Sequence, residues 1–334
     1  MLELPTYSDV KSAQIRLQGH AIRTPLVSST HLNTMCGYNL FLKNETKQVT
    51  GTFKYRGARS RMSLLSSEEL ERGVVAFSSG NHAQGVAFNA RELGTTSIIV
   101  MPKSAPQKKK DGTKALGADI VEYDIATENR EQIAERIASE TGRILVPAFD
   151  DKYVIAGQGT CALEICEQAK EQGAHLDAVI TPMGGGGLGA GTSLAVKHLA
   201  PQAQIYGVEP AGFDDQRRSL LSGRRERILK GGRTLCDALM SPKPGVLTFA
   251  INKRALMDIF VVTDEMVLKT IAVVYSDLGI KLEPGGAAAL ASILYGDTPF
   301  KPGANIAVIL SGGNVDDEIF DLAIRTTTEI MHEF

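Results

Sequence analysis

Apolar positions along the middle of the chain change their spacing at regular intervals. Residues 74–77 (VVAF) form a short unbroken apolar run, the turn SSGNH follows, and residues 83–93 then return apolar side chains at helical spacing. The succession repeats. SIIVM at 97–101 reads as a second strand, 107–116 as a basic helix ending at Gly117, and 119–123 as a third strand. Residues 128–140 read as a charged helix closed by Thr141 and Gly142, and 144–146 as a fourth strand. Apolar runs this short, bounded by glycine, suit strands covered on both faces, and the helices between them supply the cover.

The pattern restarts with a helix at 158–171, apolar at Ala162, Ile165, Cys166 and Ala169. A strand at 177–181 runs into MGGGGLGAG, and a helix at 188–199 and a strand at 204–208 follow. Residues 265–278 and 285–294 read as helices, 305–310 as a last buried strand, and SGGN precedes a closing helix. Strand–helix alternation with short joins predicts an α/β architecture of two doubly wound parallel-sheet units. Ligands of such sheets sit beyond the carboxyl ends of the strands. Three glycine-containing turns stand there, at 78–82, 183–191 and 311–314, and a fourth loop, 50–57, precedes the first unit.

Composition narrows the field. With 334 residues, 43% of them hydrophobic, the chain can bury a large core without disulfides. Lys and Arg number 36 against 38 Asp and Glu, a balance that suits neither nucleic acid nor an anionic membrane as main partner. The seven Lys and Arg of 217–233 carry no interleaved aromatic residue and read as solvated helix and loop. No apolar run approaches the ~18–20 residues of a membrane span, and the polar start MLELPTYSDV is not a secretory signal. The four cysteines form no C-x-x-C pair, so neither a zinc site nor a redox dithiol is expected, and reduced thiols in a cytoplasmic protein are.

The loops carry the candidate chemistry. Four successive glycines between a strand and a helix leave backbone N–H groups open at a helix N-terminus, which is an anion cradle. The tract lacks the Lys-Ser/Thr ending of a nucleoside triphosphate loop. A G-x-G-x-x-G overlays Gly184, Gly186 and Gly189, with Glu209 as the acid on the next strand, so a dinucleotide stays open. Lys54 lies between Phe53 and Tyr55 and before Arg56. A lysine forms a Schiff base as its neutral amine, which burial or cationic neighbours favour, and Arg56 would help if it pointed the same way. SSGNH can bind a carboxylate or a ring oxygen, or simply cap a helix. Ser311 and the glycines after it admit a flat ring.

Taken in order, RTPL (23–26), TFKYRGA, SSGNHAQGVA, MPKSAPQKKK, VIAGQGT, GGGGLGAG, LEPGGAA and LSGGNVD resemble the fold-type II pyridoxal-phosphate enzymes. The similarity is greatest to threonine/serine dehydratases and serine racemases. It implies that Lys54 carries pyridoxal phosphate covalently and that Gly184, Gly185, Gly186, Gly187 and Leu188 cradle its phosphate. Asn81 would bond the ring hydroxyl, with Glu283 of LEPGGAA also beside the cofactor. Phe53 would pack on the ring and Ser311 would contact the pyridine nitrogen. Thr52, Ser78, Asn81 and His82 would grip the substrate carboxylate, with Arg130 assisting. Ser79 would face Cα opposite Lys54, a catalytic position in the racemase-like branch. Glu209, the Phe213 carbonyl and Asp215 match a Mg²⁺ or Ca²⁺ site of that branch.

The resemblance further implies a large cofactor domain, 1–54 with 148–334, and a small domain, 55–147, that closes over a small amino acid substrate. It also implies a homodimer or homotetramer. Thr52 and Ala238 depart from the Ser and Gly usual at their positions, which touches substrate choice. No regulatory domain follows SGGN, so isoleucine feedback is not expected. The activity implied is β-elimination from a β-hydroxy amino acid such as L-threonine, L-serine or a 3-hydroxyaspartate, giving a 2-oxo acid and ammonia. The alternative is interconversion of L- and D-amino acids. A nicotinamide-dependent oxidoreductase and an idle pyridoxal-binding protein are the remaining rivals.

Overall fold

The computed structural model of the chain describes residues 3–78, 80–105 and 107–332, without the side chains of residue 108 and residues 326–332. Helix α1 (Tyr7–Leu17), strand β1 (Leu26–Val27), helix α2 (Thr30–Cys36), strand β2 (Asn39–Asn44) and helices α3 (Lys54–Met62) and α4 (Ser67–Arg72) open the chain. The first alternating unit runs β3 (Val74–Phe77), α5 (Asn81–Glu92), β4 (Ser97–Pro102), α6 (Gln107–Ala115), β5 (Asp119–Tyr123), α7 (Arg130–Thr141) and β6 (Ile144–Leu145). The second begins with α8 (Lys152–Glu171), β7 (Ala178–Pro182), α9 (Gly187–Leu199), β8 (Gln204–Pro210) and α10 (Asp215–Ser222). It continues through α11 (Val246–Ala255), β9 (Asp258–Val262), α12 (Asp264–Leu278), α13 (Pro284–Tyr295), β10 (Asn305–Leu310) and α14 (Asp317–His332).

The strands form two sheets. Six lie in the order β1-β2-β10-β7-β8-β9, parallel except for the edge strand β1, which runs antiparallel to β2. Four parallel strands lie in the order β5-β4-β3-β6. Both sheets are covered on two faces, as their unbroken apolar runs require. In β10, Ile306, Val308 and Leu310 enter the core shared with α12 and α13, while Ala307 and Ile309 enter the core shared with α8 and α9. In β3, Val74 and Ala76 face one cluster and Val75 the other. The doubly wound α/β reading therefore holds, with one antiparallel edge strand added.

The expected strands from residue 74 onward match within two residues, β9 excepted. The opening α1–α4, β1 and β2, and later α11 and β9, were not expected from the pattern. Residues 50–57 are a loop only as far as Phe53, because α3 begins at Lys54. Its buried face includes Arg56, Arg59 and Ser60, so no apolar period marks it. Between 217 and 233 the chain is helix to Ser222 and loop thereafter, as its charge suggests. Among the described residues no helix is long and apolar enough to cross a membrane.

Candidate active site

Strands β3, β7 and β10 end at Phe77, Pro182 and Leu310, and the turns beyond them carry SSGNH, the glycine tract and SGGN. The loop before α3 is drawn to the same place. Thr52 forms an antiparallel bridge with Gly312, and the Phe53 N–H donates to the Ser311 carbonyl at 3.1 Å. A crevice there is lined by Ser78, Asn81, His82 and Arg130 from one side and by Lys54, Phe149, Gly185, Asp237 and Glu283 from the other.

Lys54 Nζ donates to the Ala148 carbonyl at 3.0 Å and stands 5.2 Å from the centre of the Phe53 ring. Burial lowers its pKa to about 8, and the Glu283 carboxylate resists that shift. Arg56 does not point the same way as Lys54. Arg56 is fully buried and turned away onto Glu45 and Glu164, so desolvation does the work. Burial also holds Glu283 up, to about 7, against a 2.7 Å bond from Asn81 Nδ2. Asn314 Nδ2 in turn donates to Asn81 Oδ1 at 3.0 Å. His82 is kept neutral, its pKa pushed to about 3 by burial and then by the Lys54 charge. Its Nε2 donates to the Val146 carbonyl at 2.9 Å, which leaves Nδ1 an acceptor without a partner among the described residues. A neutral ring in that tautomer cannot donate to a carboxylate, so the geometry does not support the grip expected of His82.

The Thr52 hydroxyl is buried and has no partner among the described residues, the Ser78 hydroxyl accepts from the Gly80 N–H at 3.2 Å, and the Ser311 hydroxyl is buried against the Gly285 carbonyl at 3.5 Å. Ser79 lies outside the described residues. The glycine tract divides into two. A Cβ on Gly185 would stand 2.3 Å from the Phe149 ring, and one on Gly187 would stand 2.9 Å from Phe149 Cβ. Gly186 is left-handed at φ 92° and caps α9, whose first N–H groups have no acceptor inside the helix. Leu188 contributes backbone there, since its side chain enters the core behind. Gly189 and Gly191 serve packing, against Met183 and against the backbone of α8 at Gly159.

Among the crevice residues not singled out from sequence are Phe149, Lys109 and Asp237. Lys109 Nζ pairs with Asp237 at 2.5 Å and faces Asp316 at 3.9 Å. Its motif MPKSAPQKKK was visible, and Phe149 follows a strand end, the position where ligand-facing residues collect. Arg130 differs from Lys109. It is the first residue of α7, 5.4 Å from the Phe77 ring, with no carboxylate partner among the described residues. A cation at a helix N-terminus opposes the helix dipole, which favours an anionic visitor.

Glu209, at the end of β8, accepts the Gln216 and Arg217 N–H groups on its two oxygens, each at 2.9 Å. That capping use leaves no ribose role to read into it. Burial and the Asp215 charge push Glu209 well up, and burial raises Asp215 to about 7. Asp215 Oδ2 is buried without a partner among the described residues. Two crowded carboxylates with an orphan oxygen suit a hard divalent cation. Among the described residues no group of three or more His, Cys, Asp or Glu could hold a metal, so such an ion would need carbonyl and water ligands besides.

Residues 17–312 match the family described as "Pyridoxal-phosphate dependent enzyme". This chain belongs to that family. The dinucleotide alternative therefore lapses. An L-threo-3-hydroxyaspartate ammonia-lyase of Saccharomyces cerevisiae is 39% identical over 313 residues, 94% of each chain. A serine racemase of Schizosaccharomyces pombe is 37% identical, across 95% of this chain and 96% of that one. Among solved structures, maize serine racemase superposes with a TM-score of 0.90 at 35% identity, covering 99% of this chain and 100% of the other.

Proposed function

We propose that this chain holds pyridoxal phosphate on Lys54 and eliminates water from a β-hydroxy amino acid bearing a second carboxylate, 3-hydroxyaspartate first among them. The products are the matching 2-oxo acid and ammonia. The observation that carries this reading is Arg130, a cation without a carboxylate partner among the described residues, in the crevice that also holds the Lys54 amine. The hydroxyaspartate ammonia-lyase relative supports the same substrate class.

The residues fit the cofactor. Lys54 has a lowered pKa, the turn Gly184, Gly185, Gly186 and the first residues of α9, Gly187 and Leu188, offer N–H groups, and Ser311 offers a neutral hydroxyl. Asn81 and Glu283 would hold the ring-hydroxyl side and Phe53 the ring. When bound, pyridoxal phosphate draws electron density from Cα of the attached substrate and acidifies its Cα–H. Lys54 Nζ takes that proton. The released electron pair would form the Cα–Cβ double bond as the β-hydroxyl takes up the proton now on Lys54 Nζ and departs as water; the enamine product gains a proton at Cβ to become an imine, which water hydrolyses to the 2-oxo acid and ammonia. Thr52, Ser78 and Asn81 hold the α-carboxylate, and Arg130 holds the β-carboxylate. Neutral His82, with Nδ1 as acceptor, takes a hydrogen bond instead of giving one.

Mg²⁺ or Ca²⁺ on Glu209, Asp215 and the Phe213 carbonyl belongs to the same proposal, supported by the orphan Asp215 oxygen. So do closure of a small domain, 55–147, onto a large one, 1–54 with 148–334, a homodimeric or homotetrameric state, and a cytoplasmic setting. For these the family alone is the support.

Formation of 2-oxo acid from 3-hydroxyaspartate, L-serine and L-threonine tests the reading. The value of kcat/KM is expected to be highest for 3-hydroxyaspartate. Arg130→Met is expected to lower it about 10- to 100-fold there and within about threefold for L-serine, as loss of one charge-assisted bond implies. Faster turnover of serine or threonine by the unaltered enzyme rejects the dicarboxylate reading. Racemisation is the second reading, favoured by the serine racemase relative and by the Ser79 of SSGNH. D-serine appearing in the same assay, and lost in Ser79→Ala, is its signature.

A further inference from the structure

The carbonyl side of the glycine tract is braced from behind. The Gly184 carbonyl accepts from the Gln216 side-chain amide at 2.6 Å, Gly185 from the Thr248 hydroxyl at 2.7 Å, and Gly186 from the Asn252 amide at 3.1 Å. All three donors are buried. In a trans peptide the C=O and the following N–H point opposite ways, so carbonyls held to the rear turn the next N–H groups forward. The brace therefore sets the direction of the groups that would meet a phosphate.

Gln216 reaches beyond the tract. It is the second residue of α10, and its backbone N–H donates to Glu209 Oε1 at 2.9 Å. It directly follows Asp215, so the residue that holds Gly184 is hydrogen-bonded to one of the two carboxylates offered as cation ligands and adjoins the other in the chain. Its Nε2 also stands 3.0 Å from where a Cβ on Gly186 would lie, which places the amide against two residues of the tract. Neither Thr248 nor Asn252, both on α11, is part of that carboxylate pair.

We infer that Gln216 is a positioning residue that couples the cation site to the phosphate cradle. Glu209 and Asp215 crowd two carboxylates at the first turn of α10, where charge on one opposes charge on the other. A divalent cation between them draws that turn into one arrangement, the Gln216 amide is fixed with it, and the Gly184 carbonyl is held. Cofactor affinity rises as a result, and by linkage the bound cofactor tightens the cation by the same factor. The inference rests on the cation reading above, and its test separates the two.

Apoprotein is titrated with pyridoxal phosphate, read by the visible absorbance of the bound cofactor, with and without Mg²⁺ or Ca²⁺. Cation binding is measured separately by calorimetry. In the unaltered protein the cation is expected to tighten the cofactor by about fivefold or more, the size of an ordinary coupling. Gln216→Met keeps the length and loses the donor. It is expected to weaken the cofactor by about 3- to 10-fold, one hydrogen bond's worth, and to bind the cation without any further tightening. Thr248→Val removes a brace that does not touch Glu209, and is expected to weaken the cofactor while keeping the cation's effect. Should Gln216→Met not fold, Gln216→Asn, one carbon too short to reach Gly184, carries the same expectation. A cation effect that survives in the Gln216 variants, or a protein that binds the cation with cofactor affinity unchanged, overturns the coupling. Calorimetry flat in the unaltered protein overturns the cation site itself and the coupling with it.

Discussion

The Lys54 amine donates to the Ala148 carbonyl, and the Glu283 carboxylate holds its pKa up while burial brings it down to about 8. At pH 7 that leaves about a tenth of the amine neutral, against about one molecule in 3,000 for an ordinary lysine at 10.5. Glu283 itself titrates near 7, so above that pH its charge opposes the neutral amine. Removing the charge has a definite sign. In Glu283→Gln the Lys54 pKa falls below about 8, because the contribution that raised it is gone. The measurement is borohydride trapping of pyridoxal phosphate on the apoprotein as a function of pH. The midpoint is expected to lie near 8 in the unaltered protein and lower in the variant. A midpoint that rises, or one already near 10.5 in the unaltered protein, removes desolvation as the source of the reactive amine.

At the scale of elements, one glycine run answers to two masters. Gly185 and Gly187 keep Phe149 close, whereas Gly191 lets α9 lie on the backbone of α8, where a Cβ would come within 2.4 Å of the Gly159 nitrogen. Both demands ask only for a missing Cβ, so the sequence shows a cradle at 183–191 and hides where the cradle ends and helix packing begins. Substitution separates them. Gly185→Ala meets a ring that can swing aside, so its expected effect is loss of cofactor affinity with the apoprotein Tm nearly unchanged. Gly191→Ala meets backbone that cannot, and is expected to cost about 1–3 kcal/mol of apoprotein stability. Equal losses of Tm in the two variants would show the division to be false. The same reasoning explains which elements were legible. Strands such as VVAF and NIAVIL are buried on both faces and leave an apolar trace. Helix KYRGARSRM buries Arg56, Arg59 and Ser60, and β2 buries Lys43 and Asn44, so their interior faces look like surface. Loops with special chemistry are legible by residue type, but whether Arg56 points the same way as Lys54 is not, because adjacency in sequence says nothing about direction on a helix.

Across the whole molecule, those buried charges join segments far apart in sequence. Arg56 meets Glu45 through Nε and Nη2, each at 2.8 Å, and Glu164 through Nη1 at 2.6 Å and Nη2 at 2.8 Å. Lys43 meets Glu164 at 2.6 Å, Gln168 at 2.8 Å and the Thr24 carbonyl at 2.6 Å. Two cations face two anions, so the cluster is neutral, and it pins the RTPL segment, β2, α3 and α8 to one another directly beneath the turn that presents Lys54. A cluster of this kind gains little over an apolar core when complete and loses heavily when one member is taken out. Arg56→Met strands Glu45 with no guanidinium and is expected to lower unfolding stability by about 3–5 kcal/mol. Lys43→Met leaves Glu164 still paired to Arg56 and is expected to lose less. The pH dependence follows from Glu45, whose pKa lies below the ordinary 4.5 through burial opposed and outweighed by Arg56. Its contribution is complete above 4.5 and is lost as the pH falls through the depressed value, so the gap between unaltered protein and Arg56→Met narrows in acid. Denaturant unfolding at neutral and at acid pH reads both numbers. A loss under about 1 kcal/mol, as for an exposed pair, or a gap that widens in acid, would mean that the cluster does not hold these segments together.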